Sequence, residues 1–233
     1  AIAETRGSGS VRTAQDQNIL LRFVKSEELP AVHRELERIG LGLAEAGRLL
    51  DPTSCPGAES CKIAVTGSRE LALAVKESLT AAAGNGGREL VEAASDLRIK
   101  ISGCPNSCGQ HHIAGIGFHG AAKHVGSRGV PAYQMLLGGG IDGDGAHFGR
   151  RSVKIPARRV PEALTRLLTL FRDERAPDET ALAFFRRVDL ARVDTALADL
   201  ATFTEADLGE NDYKDLGSDQ AFEIEVGEGE CAT

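Results

Sequence analysis

Tryptophan is absent from this 233-residue chain, tyrosine occurs twice and methionine once. So little aromatic surface argues against a stacking platform for nucleobases. The charge balance argues against a general nucleic-acid binder as well. Its 34 acidic and 27 basic residues leave a formal charge of −7, whereas phosphate contacts need a basic face. No apolar run approaches the roughly 18 residues of a membrane span. Residues 1–14 have no apolar core of the kind a secretory signal carries. Residue 1 is Ala and the only Met is Met135, which points either to a removed initiator or to the later part of a longer protein. The motifs below favour the second reading.

What the chain does hold is ample core-forming material: 42% apolar residues and 27 glycines. Its length suits one or two domains. It has five cysteines, an odd count in a chain too large to be a disulfide-stapled mini-domain. Four form two close pairs and Cys231 is left over. Paired thiols without secretory signals point to a reducing, cytoplasmic compartment and to metal or redox chemistry.

The hydrophobic pattern alternates strands with helices. In residues 17–25, Ile19, Leu21 and Phe23 fall on one face of a predicted strand. Leu29, Val32, Leu36 and Ile39 recur at helical spacing before Gly40. After a loop at 51–57, Leu71, Val75 and Leu79 form the stripe of a helix ending at Gly84-Asn85-Gly86-Gly87. Leu97, Ile99 and Ile101 alternate with Arg98, Lys100 and Ser102 in a strand that leads into Gly103-Cys104. Further strands are predicted near 115–119, 133–137 and 153–155. Pro161 opens a helix with Leu164, Leu167, Leu168 and Phe171 inward. Shorter helices follow at 181–188 and 193–200. The segment from 201 to 233 holds ten acidic residues and one basic, a net of −9, so the first 200 residues sum to +2.

The cysteines are spaced Cys55-x5-Cys61 and, 42 residues later, Cys104-x3-Cys108. Two ligand pairs from distant parts of a chain can clamp one tetrahedral ion or one cubane. Zinc knuckles usually use tighter C-x2-C or C-x4-C turns. Wider loops suit a [4Fe–4S] cube, whose iron corners lie further apart, although neither common ferredoxin spacing occurs here. Spacing alone leaves a cluster, a zinc ion and unligated buried thiols open. Gly57, Gly103 and Gly109 allow the backbone close to a bulky group, and Pro56 and Pro105 stiffen the turns.

Gly103-Cys-Pro-Asn-Ser-Cys-Gly109 with an upstream C-x5-C resembles the sirohaem-and-cluster signature of the nitrite/sulfite reductase family. Arg12-Thr13-x3-Gln17-Asn18 before a strand resembles the opening of the family's second ferredoxin-like half-repeat. Ala114-Gly-Ile-Gly-Phe118 and the Leu137-Gly-Gly139 strand end resemble its C-terminal half. The likeness spans about residues 8–200.

The resemblance implies an α+β fold: a mixed sheet with flanking helices carrying an iron–sulfur cluster, preceded by part of a ferredoxin-like half-repeat. The expected division is 1–48 for the half-repeat, 49–204 for the cluster and sirohaem domain, and 205–233 for an acidic tail. It implies that Cys55, Cys61, Cys104 and Cys108 hold a [4Fe–4S] cluster and that Cys108 also ligates the sirohaem iron. The reaction implied is the six-electron reduction of nitrite to ammonia or of sulfite to sulfide. A low-potential donor such as ferredoxin or a flavoprotein would supply the electrons. Family enzymes are about twice this length, and the related upstream half supplies most of their anion-binding Arg and Lys residues.

Several residues have plainer readings beside the functional one. Asn106 is a contact to the cluster or sirohaem edge, or a turn former. Arg12 and Gln17 touch a sirohaem carboxylate, or tie the half-repeat to the cluster domain. His111 and His112 are proton donors or metal ligands, or packed or exposed side chains. Asp142-Gly-Asp-Gly145 is a turn rather than a calcium loop, because the twelfth position is Val153 and not Glu. Gly138-Gly-Gly140 lacks the G-K-[ST] of a phosphate loop. The strong negative charge and sparse apolar content of residues 205–233 predict a mobile or loosely packed tail. An edge strand through Phe222, Ile224 and Val226 is the competing reading. Cys231, beside Glu228 and Glu230, is not expected to be a ligand. A stand-alone iron–sulfur electron-transfer or sensor module, and a zinc-stabilised interaction domain, are the rival functions.

Overall fold

The computed structural model describes residues 1–143 and 145–224. The chain divides into two compact units, Ala1–Gly47 and Arg48–Thr233.

The N-terminal unit contains α1 (Ile2–Arg6), the antiparallel pair β1 (Val11–Thr13) and β2 (Ile19–Leu21), and α2 (Leu29–Glu37). Arg6 joins the helices through Glu35, at 2.8 Å, and Glu28. The predicted inward row on β2 is not buried: Ile19 and Phe23 are exposed, and Phe23 adopts a φ of +56°. Of the predicted stripe on α2, Val32 is buried while Leu29 and Ile39 are exposed. The physical reason is that a two-stranded ribbon with short helices has no second layer of its own in which to bury a face.

The second unit is built on a five-stranded sheet of order β3-β4-β5-β6-β9. Its strands are β3 (Thr53–Ser54), β4 (Ile99–Ser102), β5 (Ile116–Val125), β6 (Arg128–Leu137) and β9 (Arg150–Pro156). β3, β4 and β5 run parallel, and β5, β6 and β9 are antiparallel. A separate hairpin, β7 (Gly140–Asp142) with β8 (Gly145–His147), branches off between β6 and β9. β5 and β6 are ten residues each and longer than their patterns predict, joined by a two-residue Gly126-Ser127 turn with Gly126 at φ +58°.

One sheet face is apolar: Ile99, Ile101, Ile116, Phe118, Tyr133, Met135 and Ile155 are all buried. α3 (Ser68–Ala82) packs there through Leu71, Val75 and Leu79, as its spacing predicts. Each such side chain contributes about 1.5–3 kcal/mol on burial. α4 (Arg88–Ala93) follows a break at Gly86 with φ +90°. α5 (Val160–Glu174) buries the predicted Leu164, Leu167, Leu168 and Phe171 and carries a proline in its first turn. α6 (Ala181–Arg187) stacks Phe184 edge-on to Phe171, with ring centres 5.6 Å apart. α7 (Leu190–Ala196) and α8 (Ala198–Ala201) complete the layer. The other face of β4 is covered too, so Lys100 and Ser102 are buried rather than solvated. Among the described residues no helix is long and apolar enough to cross a membrane.

The acidic segment is mostly exposed from 205 to 222 but is anchored by three buried side chains, Tyr213, Asp215 and Phe222, which the sequence reading does not anticipate. Its charges do not simply repel one another: Glu210 accepts both guanidinium nitrogens of Arg128 at 2.9 Å, and Arg128 also lies over the Tyr213 ring. No strand forms through Phe222 and Ile224. Val226 and Cys231 lie outside the described residues.

Candidate cluster-binding site

Cys55 leaves the end of β3, and its N–H continues the parallel ladder by donating to the Ile101 carbonyl at 3.1 Å. Gly57, at φ +70°, then turns the chain so tightly that a Cβ there would lie 2.5 Å from the Ser68 nitrogen. The Cys61 N–H donates to the Gly57 carbonyl at 2.9 Å, and the loop closes through Ala58 N–H to the Thr66 carbonyl at 3.0 Å. Ser68, the first residue of α3, donates to the Cys55 carbonyl at 2.8 Å and lies 3.2 Å from the Cys55 sulfur.

The second thiol loop leaves β4 and is stitched to the first. The Gly103 carbonyl accepts from Val65 and Thr66 at 2.8 and 3.1 Å, and the Gly103 N–H donates to the Cys55 sulfur at 3.1 Å. Ser107 and Gln110 hold φ values near +60°, which makes Cys104–Cys108 a compact knuckle. The Gly109 N–H is anchored on the Ser102 hydroxyl at 3.1 Å.

Cys55 and Cys104 are buried, Cys61 is half-buried and Cys108 is exposed. Burial pushes the Cys104 thiol up, the Asn106 backbone N–H pulls it down, and the charges of Cys55, Cys108 and Cys61 push it up again. The four thiols therefore share one electrostatic neighbourhood. Among the described residues no three Cys, His or carboxylate groups close to the span of a single metal ion. Two cysteine pairs brought together on two braced loops could hold an inorganic body larger than one ion, such as an iron–sulfur cube.

The remaining predicted residues divide. Asn106 is exposed within the knuckle. Arg12, on β1, and Gln17, at φ +63°, are exposed in the N-terminal unit. His111 is fully buried, with Nδ1 2.8 Å from the Ser102 hydroxyl and Nε2 without a partner among the described residues. His112 and His119 stack on it with ring centres at 4.2 and 4.9 Å. Burial first, then these two neighbours, lower the pKa of His111 to about 3, so the ring is neutral. Asp142 pairs with Arg186 at 2.6 Å and lies in the β7–β8 hairpin, in keeping with a turn. Gly139 is a close-packing position, where a Cβ would lie 2.6 Å from the His112 carbonyl.

Sequence reasoning missed Ser68, Ser102 and His119. Ser68 precedes the first stripe residue of α3 by three positions, Ser102 lies on the polar side of the β4 alternation and His119 follows Phe118, and nothing in the composition marks any of them as buried.

An α+β unit that brings four thiols into one electrostatic neighbourhood is a thiol-cluster domain in class. A family profile described as "Nitrite and sulphite reductase 4Fe-4S domain" matches residues 45–188, and one described as "Nitrite/Sulfite reductase ferredoxin-like half domain" matches residues 1–39. The chain belongs to the nitrite and sulphite reductase 4Fe-4S domain family. It is 31% identical over 170 residues to a ferredoxin–nitrite reductase of Synechococcus elongatus, covering 72% of this chain and 31% of that protein. It is 27% identical over 191 residues to sulfite reductase [ferredoxin] 2 of Mycolicibacterium paratuberculosis, covering 81% and 34%. The solved structure of the Mycobacterium tuberculosis NirA protein shares the fold with a TM-score of 0.67 at 24% identity, covering 78% of this chain and 33% of that one. The chain thus spans about a third of the length of these relatives.

Proposed function

We propose that this chain is the cluster-bearing, C-terminal part of an assimilatory-type nitrite or sulfite reductase, an oxidoreductase that reduces nitrite to ammonia or sulfite to sulfide. The observation that carries the reading is the stitching of two distant cysteine pairs through Gly103, whose carbonyl accepts from the first loop and whose N–H donates to the Cys55 sulfur. Cys55, Cys61, Cys104 and Cys108 are the assigned cluster ligands. A [4Fe–4S] cluster and sirohaem, when bound, supply one-electron storage and a metal site at which a small anion is reduced.

The chain's own residues supply ligation and electrostatics. Cys55 and Cys104 secure the buried side, and Cys108, the exposed thiol, is suited to be shared with a second cofactor. N–H groups of Gly103 and Asn106 donate toward the Cys55 and Cys104 sulfurs, which spreads thiolate charge and favours a higher reduction potential. Asn106, Arg12 and Gln17 are the candidates for polar contacts to the sirohaem edge and carboxylates. His111 is neutral and buried, which suits packing behind the knuckle rather than proton storage. The electron donor is a low-potential protein such as ferredoxin or a flavoprotein, and the paired thiols fit the cytoplasm. The rest of the pocket, with its cationic anion site, comes from an upstream half of the same polypeptide.

Absorption of the anaerobically purified protein tests this. The chain alone gives the broad brown shoulder of a cluster, and joining it to the upstream half adds the Soret and red-region bands of sirohaem together with nitrite or sulfite turnover. Alone it turns over poorly, because an oxyanion brought to iron without cationic groups loses hydration uncompensated. A colourless zinc protein would contradict the cluster. Robust turnover by the 233 residues alone would contradict the reading as a part.

A further inference from the structure

We infer that Asp215, delivered by the acidic strap of residues 205–222, is a positioning and charge-tuning residue for the Cys55 side of the thiol site. The inference rests on the cluster assignment above. It concerns a segment outside both family-matched spans, 1–39 and 45–188.

The strap is fixed at several points. Arg128 grips Glu210 and stacks 3.5 Å over Tyr213. Arg158 donates to the Asn211 carbonyl at 2.6 Å and to the Asp215 carbonyl at 3.4 Å. The Phe222 N–H closes back on the Tyr213 carbonyl at 2.7 Å. Between these anchors the Asp215 side chain turns inward and is only 9% exposed. One carboxylate oxygen accepts the Gly67 N–H at 2.6 Å, and the other accepts the N–H of Leu216 at 2.9 Å.

The destination of that carboxylate is what matters. Gly67 caps the N-terminus of α3, and the next residue is Ser68, which holds Cys55 by both its carbonyl and its sulfur. Burial first, then the charges of Asp215 and Cys55, push the Tyr133 phenol up, so both groups act electrostatically on one buried side chain. On the other side, Asp215 and Cys61 line one cavity. The strap thus places a buried acid one residue away from the serine that braces one ligand, and against a wall shared with another.

Two consequences follow. The Asp215–Gly67 bond pins the first turn of α3, and with it the Ser68–Cys55 contact. A carboxylate in a poorly solvated place also opposes the arrival of an electron, because reduction adds negative charge nearby. Burial pushes the Asp215 carboxyl above its ordinary range, and the Gly67 and Leu216 N–H groups, then the charge of Arg158, pull it back.

The test compares the full 233-residue chain with Asp215→Asn and Asp215→Ala. Asn keeps an acceptor for Gly67 but removes the charge, and Ala removes both. Hydrogen exchange of residues 64–72 is measured in the metal-free proteins, and the cluster potential is measured by an electron-paramagnetic-resonance titration after reconstitution. Exchange should quicken in Asp215→Ala and stay near wild type in Asp215→Asn. The potential of Asp215→Asn should shift positive at unchanged iron and sulfide content, a shift that a merely structural role would not give. Equal exchange in all three proteins would overturn the anchoring role whether or not a cluster binds. An unmoved potential in fully loaded Asp215→Asn would overturn the charge role. A wild-type chain that takes up no iron and sulfide would overturn the cluster assignment instead, and exchange would then decide the anchor alone.

Discussion

Cys104 is the thiol on which the site converges, and its environment shows what a bound metal must overcome. Burial raises its pKa, the Asn106 N–H lowers it, and the three neighbouring thiols raise it again, a net direction that disfavours the thiolate a metal needs. A multivalent cation reverses that balance. His111 shows the opposite response to burial. Its pKa falls to about 3, below the ordinary value of 6.5, so between those values the unfolded chain binds the extra proton. Stability from this residue is full above pH 6.5 and is lost as pH falls through the window. The charges of His112 and His119, stacked on the ring, add to the lowering that burial causes at His111. Urea unfolding of the metal-free protein should lose roughly 1 kcal/mol more between about pH 7.5 and 5.5 in wild type than in His111→Gln. Parallel pH profiles would contradict a neutral, buried His111.

At the scale of elements, the strap is held by a few good contacts rather than by a broad apolar face. Tyr213 is 3% exposed under Arg128, so Tyr213→Ala should cost about 2–4 kcal/mol in urea unfolding. A change below about 0.5 kcal/mol, the level of an ordinary surface substitution, would mean the strap is not part of the fold. The anchors of this element were not legible in the sequence because its pairing groups, Arg128 and Arg158, lie more than fifty residues upstream and carry no local signal. α3 and α5 were legible, since their 3.6-residue stripes are long and bounded by Gly or Pro. The outer halves of β5 and β6 were not. His119 to Val125 has no alternation of large apolar groups, and these strands are paired by their neighbours rather than by propensity. α4 was hidden behind the Gly84–Gly87 break, and the strand predicted over 17–25 was read for a burial that its own unit does not provide. The four cysteines stood out because spacing alone separates them from the rest. Their bracing by Ser68, Ser102 and Gly103 depends on a tertiary meeting of two loops that no spacing encodes.

For the whole molecule, two units span about a third of the length of related reductases, and the larger one brings together the four cysteines proposed as cluster ligands. That site is built on the parallel side of the sheet, where β3 and β4 end together, so it depends on the fold of the second unit as a whole. The most direct measurement is the iron and acid-labile sulfide content of the anaerobically reconstituted chain, taken beside four proteins that each carry one substitution: Cys55→Ser, Cys61→Ser, Cys104→Ser or Cys108→Ser. The account predicts equal amounts of iron and sulfide in wild type, with both lowered in every variant and lowest at the buried positions 55 and 104. Full retention of iron and sulfide in Cys104→Ser, or zinc in place of iron in the wild-type chain, would contradict it.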